Sequence, residues 1–177
     1  IKALLPYARD GIPIVGIEPS CILSFKDDYL DLLTGEDVQI VSDSVYMLEE
    51  FFALKAREGD LDLCFSSETR KIWLHGHCHQ KALIGTGDTL EVLRLPENFE
   101  VHEIPSGCCG MAGSFGYEKE HFEVSKAVGQ TRLFDVIEQI SDSDEVVAVG
   151  TSCRHQIADF TKRRARHWTE VLAEVIE

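Results

Sequence analysis

Hydrophobic positions along this chain fall into short blocks, and most blocks end in a glycine or a proline. Ile1 to Ala8 reads as the end of a helix. Gly11-Ile12-Pro13-Ile14-Val15-Gly16-Ile17-Glu18 is an apolar run bounded by breakers, the pattern of a strand buried in a parallel sheet. Pro19 stops it, which places Cys21 at its carboxyl end, ahead of an acidic helix over Leu23 to Leu33. Val38 to Val41 reads as a short strand. Ser42-Asp43-Ser44 then offers an N-cap to a helix over Val45 to Arg57, where Leu48, Phe51, Phe52 and Leu54 recur at helical spacing. Cys64 falls in a short apolar stretch with no other cysteine or histidine near it and reads as a small buried hydrophobe.

The second half repeats the scheme. Lys71 to Leu74 begins a strand that runs into His75-Gly76-His77-Cys78-His79, and Thr86 to Leu95 reads as a short helix or turn. Glu100 to Ile104 alternates as a strand and enters Pro105-Ser106-Gly107-Cys108-Cys109-Gly110-Met111-Ala112-Gly113. A long helix over Glu118 to Ile140 follows, with Phe122, Val128, Leu133, Val136 and Ile137 on its apolar side. Val146 to Gly150 is the clearest buried strand and delivers Cys153 to its end. A last helix carries Trp168, Val171, Leu172 and Val175. The expected fold class is therefore α/β: a mostly parallel sheet flanked by helices, cysteines at strand carboxyl ends, and two halves that look pseudo-related. In such sheets the carboxyl ends of the strands share one edge, where ligands collect.

The 177 residues suffice for one domain with a sizeable core. The opening on Ile1, inside a helical pattern, suggests that residues 1–177 are a C-terminal piece of a longer chain. No run approaches the length of a membrane span and no secretory signal is present. A net charge of -14 argues against general nucleic-acid binding. The basic run Lys162 to His167 reads as a solvated helix end.

Six cysteines without a secretory context point to metal or redox chemistry before a disulfide framework. Adjacent residues of a regular strand face opposite ways. A glycine-rich loop bends enough for both Cys108 and Cys109 to face one point, and a helix starting after it would aim its positive end there. Cys21, Cys78, Cys108, Cys109 and Cys153 each follow an apolar strand, so their thiols are expected to converge. Several thiolates around one centre select an iron–sulfur cluster or zinc. His75, His77 and His79 share a face only if the strand continues past Gly76, and a histidine-rich zinc site ranks below a cysteine site. A thiol–disulfide enzyme using Cys108 and Cys109 is weak without a Cys-x-x-Cys pair.

Four words in the chain carry a resemblance: Gly16-Ile17-Glu18-Pro19-Ser20-Cys21, His77-Cys78-His79, Gly107-Cys108-Cys109-Gly110-Met111-Ala112-Gly113 and Gly150-Thr151-Ser152-Cys153-Arg154-His155-Gln156-Ile157. Together they resemble the cysteine-rich CCG domain. That domain is found in the B-subunit of heterodisulfide reductase, in the iron–sulfur subunits of glycolate oxidase and anaerobic glycerol-3-phosphate dehydrogenase, and in the C-terminal region of FAD-linked D-lactate and D-2-hydroxyglutarate dehydrogenases. The resemblance covers most of the chain in the family's order. It departs at Gly150, which stands where the first cysteine of the family's closing Cys-x-x-Cys would be.

The resemblance implies an iron–sulfur electron-transfer domain of an FAD-linked oxidoreductase acting on a small 2-hydroxy acid. Cys78, Cys108, Cys109 and Cys153 match the family's metal ligands, and Cys21 is the candidate for a further one. His77, His79, Arg154 and His155 flank those cysteines and are candidates for tuning the cluster, of 4Fe-4S type. Tyr117 and Lys119 read as surface. FAD is expected on another domain or subunit, because no nucleotide-binding glycine fingerprint is present. The isolated chain is then not catalytic. Its partners would be that FAD-binding unit and an electron acceptor such as a quinone, in the cytoplasm or peripheral to the inner membrane. The alternative is a zinc-stabilised structural or interaction domain with no redox role.

Overall fold

The computed structural model describes residues 1–177. Its elements run α1 (Leu5–Arg9), β1 (Ile14–Gly16), α2 (Pro19–Ile22), α3 (Asp28–Leu32), α4 (Glu36–Asp43), β2 (Val45–Met47), α5 (Leu48–Glu58), β3 (Arg70–His75), α6 (Cys78–Leu83), α7 (Gly87–Leu93), β4 (Phe99–Glu103), α8 (Phe122–Gln130), α9 (Phe134–Gln139), β5 (Glu145–Ala148), α10 (Thr151–Phe160) and α11 (Trp168–Ala173). The α/β expectation holds, and every strand pairing within the two sheets is parallel. The strands form two separate sheets, a pair β1–β2 and a triplet in the order β4–β3–β5.

The triplet carries most of the core. Along β5 and the residue after it, Val147 and Val149 face one side of the sheet, while Val146 and Ala148 face the other. The first side meets Ala53 of α5, Val92 and Leu93 of α7, and Trp168, Val171 and Leu172 of α11. The second side meets Leu133, Phe134 and Ile137 at α9 and Ile157 of α10, and it also takes in Cys109 and Cys153. Trp73 packs on that second side, so two-residue alternation along β3 sends His75 there as well. The open edge of β5 is covered by the chain itself. Ala148 N–H donates to Arg166 O at 2.9 Å, and Arg166 N–H donates to Val146 O at 2.9 Å. A third cluster, with Ile22, Leu23, Val41, Val45 and Met47, is the core of the β1–β2 half.

Several local expectations fail for identifiable reasons. Residues 38–41 are helical, because Val38 and Val41 are the buried pair of α4, three residues apart. The expected helix over Val45 to Arg57 begins three residues late. Val45, Tyr46 and Met47 pair instead with Ile14, Val15 and Gly16, and the cap of α5 is the Met47 N–H donating to the Glu50 carboxylate at 2.8 Å. The acidic segment 23–33 is broken at Asp27, whose φ of -129 and ψ of -87 are not helical. The expected long helix over Glu118 to Ile140 splits into α8 and α9. Gly129 touches Phe134 so closely that a Cβ there would lie 2.2 Å from Cζ. Phe134 thereby reaches the core, while Phe122 and Val128 stay exposed. Cys64 is exposed in the loop before β3, not buried.

Candidate metal centre

Three parallel strands end on one edge, and each delivers cysteine there. β3 leads through Gly76 and His77 to Cys78, the first residue of α6. β4 leads into the loop holding Cys108 and Cys109. β5 leads through Gly150 to Cys153 in the first turn of α10. The Cys108–Cys109 loop needs left-handed backbone: Gly110 has φ 99, Ala112 φ 43 and Gly113 φ 69. At Gly110 an added Cβ would also fall 2.0 Å from Ser125 O, so this glycine serves both conformation and packing. The loop is fastened from two sides. Ser125 Oγ donates to Gly110 O at 2.8 Å and accepts from Gln156 Nε2 at 2.8 Å, and Lys81 Nζ donates to Ser106 O at 2.5 Å.

Four sulfurs meet at this edge. Cys78 neighbours Cys108, Cys108 neighbours Cys109, and Cys109 neighbours Cys153. All are free thiols, Cys109 and Cys153 buried, Cys108 half-buried and Cys78 exposed. The neighbouring Cys109 and Cys78, with the Gly110 N–H at 3.3 Å, hold the pKa of Cys108 down to about 2. Cys109 and the neighbouring His75 hold Cys153 well below the thiol range against the cost of burial. Cys78 and Cys109 are pushed up by the neighbouring sulfurs and by burial. The downward shifts at Cys108 and Cys153 favour the thiolate, the form that binds metal.

One histidine completes the group. The ligand atoms of His75, Cys109 and Cys153 all lie within 4.8 Å of one another, and all three residues are buried. His75 is fully buried and its Nδ1 lies 2.6 Å from Ser106 Oγ, while Nε2 has no hydrogen-bond partner. Sequence patterns alone did not place His75 or Ser106 among the site residues. The available signal was the alternation with Trp73, which aims His75 inward.

The remaining candidates take other positions. The strand stops at His75, so the three histidines do not share one face. His77 is buried against Gly150, with its Nδ1 unpartnered. His79 faces away, with Nε2 3.4 Å from Asp27 Oδ2. Arg154 donates to Ala148 O at 2.9 Å and Val149 O at 2.7 Å and so clamps the turn from β5 into α10. His155 is exposed and its Nδ1 lies 2.7 Å from Tyr117 OH. Lys119 is exposed. Cys21 is exposed on α2, which packs beside α6, and it is not one of the four neighbouring cysteines. The basic run is structural in part: Arg163 donates to Ser141 O at 2.8 Å, and Arg166 pairs with Glu145 and Glu174.

The chain is 31% identical over 166 residues to the C-subunit of the anaerobic glycerol-3-phosphate dehydrogenase of Escherichia coli (strain K12), covering 94% of this chain and 41% of that protein. It is 27% identical over 171 residues to the D-2-hydroxyglutarate dehydrogenase of the same strain, covering 96% of this chain and 16% of that protein. The Haemophilus influenzae D-2-hydroxyglutarate dehydrogenase is 25% identical over 175 residues, with 96% of this chain and 17% of that protein covered. These relatives are dehydrogenases or parts of one. The chain spans 41% of the first of them and about a sixth of the others. No family model matches the chain, and no solved structure matches it. No helix is long and apolar enough to cross a membrane.

Proposed function

We propose that this chain is the iron–sulfur electron-transfer domain of an FAD-linked oxidoreductase acting on a small 2-hydroxy acid, of the D-lactate, D-2-hydroxyglutarate or glycolate type. The observation that carries this reading is the meeting of Cys78, Cys108, Cys109 and Cys153 from three strand ends. The dehydrogenase relatives and the CCG-type words point the same way. Cys21, on the helix beside α6, is the candidate for a fifth sulfur.

The donor set fits an iron–sulfur centre: four neighbouring sulfurs, two of which, Cys109 and Cys153, lie beside a buried imidazole nitrogen with no partner. Bound there, such a centre supplies one-electron transfer. The protein's part is to hold and tune it. Cys109 and Cys153 lie against the apolar core, which excludes water from that side. The Gly110 N–H directed at Cys108 favours negative charge on sulfur and would favour the reduced centre. Cys78 and Cys108 lie on the open side, where electrons would pass between an FAD-binding domain or subunit and a quinone or another carrier. The chain itself would not turn over substrate. It would work in the cytoplasm or at the inner membrane's surface.

A zinc-stabilised structural domain is the second reading, because His75, Cys109 and Cys153 within 4.8 Å also suit a tetrahedral ion. Iron, zinc and acid-labile sulfide, assayed on protein purified without oxygen, separate the two. Iron and sulfide in comparable amounts, with visible absorbance bleached by dithionite, support electron transfer. Stoichiometric zinc without sulfide after anaerobic reconstitution overturns it.

A further inference from the structure

A histidine with no exposed surface normally spends both ring nitrogens. An unpaired buried donor or acceptor costs about 1–3 kcal/mol. His75 is such a histidine, and it spends only one. Its Nδ1 makes the 2.6 Å contact with Ser106 Oγ. Ser106 Oγ also lies 3.4 Å from Ile104 O, a carbonyl that can only accept. When Nδ1 supplies the proton of the short contact, Nε2 carries a lone pair. No nitrogen or oxygen group lies within hydrogen-bond reach of Nε2. The ring lies instead among the sulfurs, with its ligand atom within 4.8 Å of those of Cys109 and Cys153.

From this geometry we infer that His75 is a ligand of the metal centre through Nε2, which makes the coordination mixed nitrogen and sulfur, with Ser106 fixing the ring from outside. The inference rests on the proposed metal-binding role of the cysteine cluster and adds to it a ligand of a different element. Metal-bound histidines generally donate the distal N–H to an oxygen partner, which sets ring orientation and tautomer. The Ser106 contact has that form. Ser106 is held in turn, because Lys81 of α6 donates to its carbonyl. Nitrogen in place of thiolate leaves less negative charge on the centre and raises its potential. His77 is the internal control. It too is buried with an unpartnered nitrogen, Nδ1, but it is not one of the three residues whose ligand atoms meet.

The test is pulsed electron paramagnetic resonance on the whole chain, reconstituted without oxygen with iron and sulfide and then reduced with dithionite until the centre gives a paramagnetic signal, in natural abundance and with histidine labelled with ¹⁵N. A strongly coupled nitrogen that changes with the label is expected in the unmutated protein, so the experiment does not depend on a variant that folds. The coupling should be lost in His75→Asn and kept in His77→Gln, and His75→Cys should bind iron with a lowered midpoint potential. A sample that holds iron and sulfide but shows no coupled histidine nitrogen overturns the inference and leaves the iron–sulfur reading standing. So does a coupling that persists in His75→Asn. If no iron and sulfide are taken up, the iron–sulfur reading fails and cobalt(II) becomes the probe. X-ray absorption at cobalt should then show nitrogen together with sulfur. A shell of sulfur alone, or no cobalt binding, overturns the inference.

Discussion

Gly150 and His77 occupy one another's space: a Cβ added to Gly150 would lie 2.5 Å from His77 Cδ2, and 3.3 Å from Cys153 Sγ. The backbone there is ordinary, with φ -76, so any penalty for a side chain is steric. Gly150→Ala should therefore destabilise the chain by about 1–3 kcal/mol, the usual range for overpacking. It should also lower metal uptake, because the added methyl crowds Cys153 Sγ at 3.3 Å. Urea unfolding together with iron analysis of the same preparation checks both. Unchanged stability would mean that His77 moves aside freely.

The cysteines should separate into classes. Cys109→Ser and Cys153→Ser remove buried members of the sulfur cluster and should abolish iron and sulfide retention. Cys78→Ser removes an exposed member and should reduce it. Cys64→Ser, in an exposed loop outside the sulfur cluster, should change nothing. Cys21→Ser tests the candidate fifth sulfur: a loss of iron or a shifted potential supports its role, and unchanged values remove it. Iron and sulfide content with a redox titration reads all five.

Ser125 has no exposed surface and links two buried polar groups, the Gly110 carbonyl and the Gln156 amide. Ser125→Ala leaves both without that partner. The expected cost is about 1–3 kcal/mol, read by thermal unfolding. The cysteine loop should be the region that loosens, seen as faster amide exchange at residues 108–113.

Glu49 is fully buried and accepts from Gln80 at 3.0 Å, Thr89 at 3.3 Å and Trp168 at 3.4 Å. Burial raises its pKa from 4.5 to about 7, and these donors only partly offset it. A carboxyl raised in the folded state binds its proton more tightly there than in the unfolded chain. Its contribution to stability is complete below pH 4.5 and is lost as pH rises through 7. At about 1.4 kcal/mol per pKa unit the full change is on the order of 3 kcal/mol. Glu49→Gln should flatten the profile, and the gain over the unmutated chain should appear at pH 8 and not at pH 4. Urea midpoints at the two pH values decide it.

The strands most legible in the chain were those whose sequence alone demands burial. Val146 to Val149 is apolar on both faces because helices cover both faces of its sheet. Of the five thiols expected to converge, Cys78, Cys108, Cys109 and Cys153 neighbour one another, since parallel strands put their carboxyl ends together, and Cys21 is not among them. What failed were assignments in which tertiary contacts outvote local pattern. Val45 to Met47 has a helical continuation on its C-terminal side, yet β1 is there to pair with it. The Glu118 to Ile140 periodicity runs on across a break that Gly129 and Phe134 set by touching. His75 was hidden for a similar reason. Its partners Ser106, Cys109 and Cys153 come from other parts of the chain, and no spacing within residues 71–81 announces them.

The cysteine-bearing edge has a further consequence for how the chain folds. Its sulfurs come from segments that begin at residue 78 and end at residue 153, and they meet only when β3 has paired with both β4 and β5. A centre bound there acts as a cross-link closing loops of several tens of residues. Such a cross-link raises stability chiefly by restricting the unfolded ensemble, by about (3/2)RT ln n per closed loop plus a constant. Metal affinity and chain topology are thus one quantity seen from two sides. Loading the centre should make β3, β4 and β5 unfold as one cooperative unit, and stripping it should let the Cys108–Cys109 loop open first.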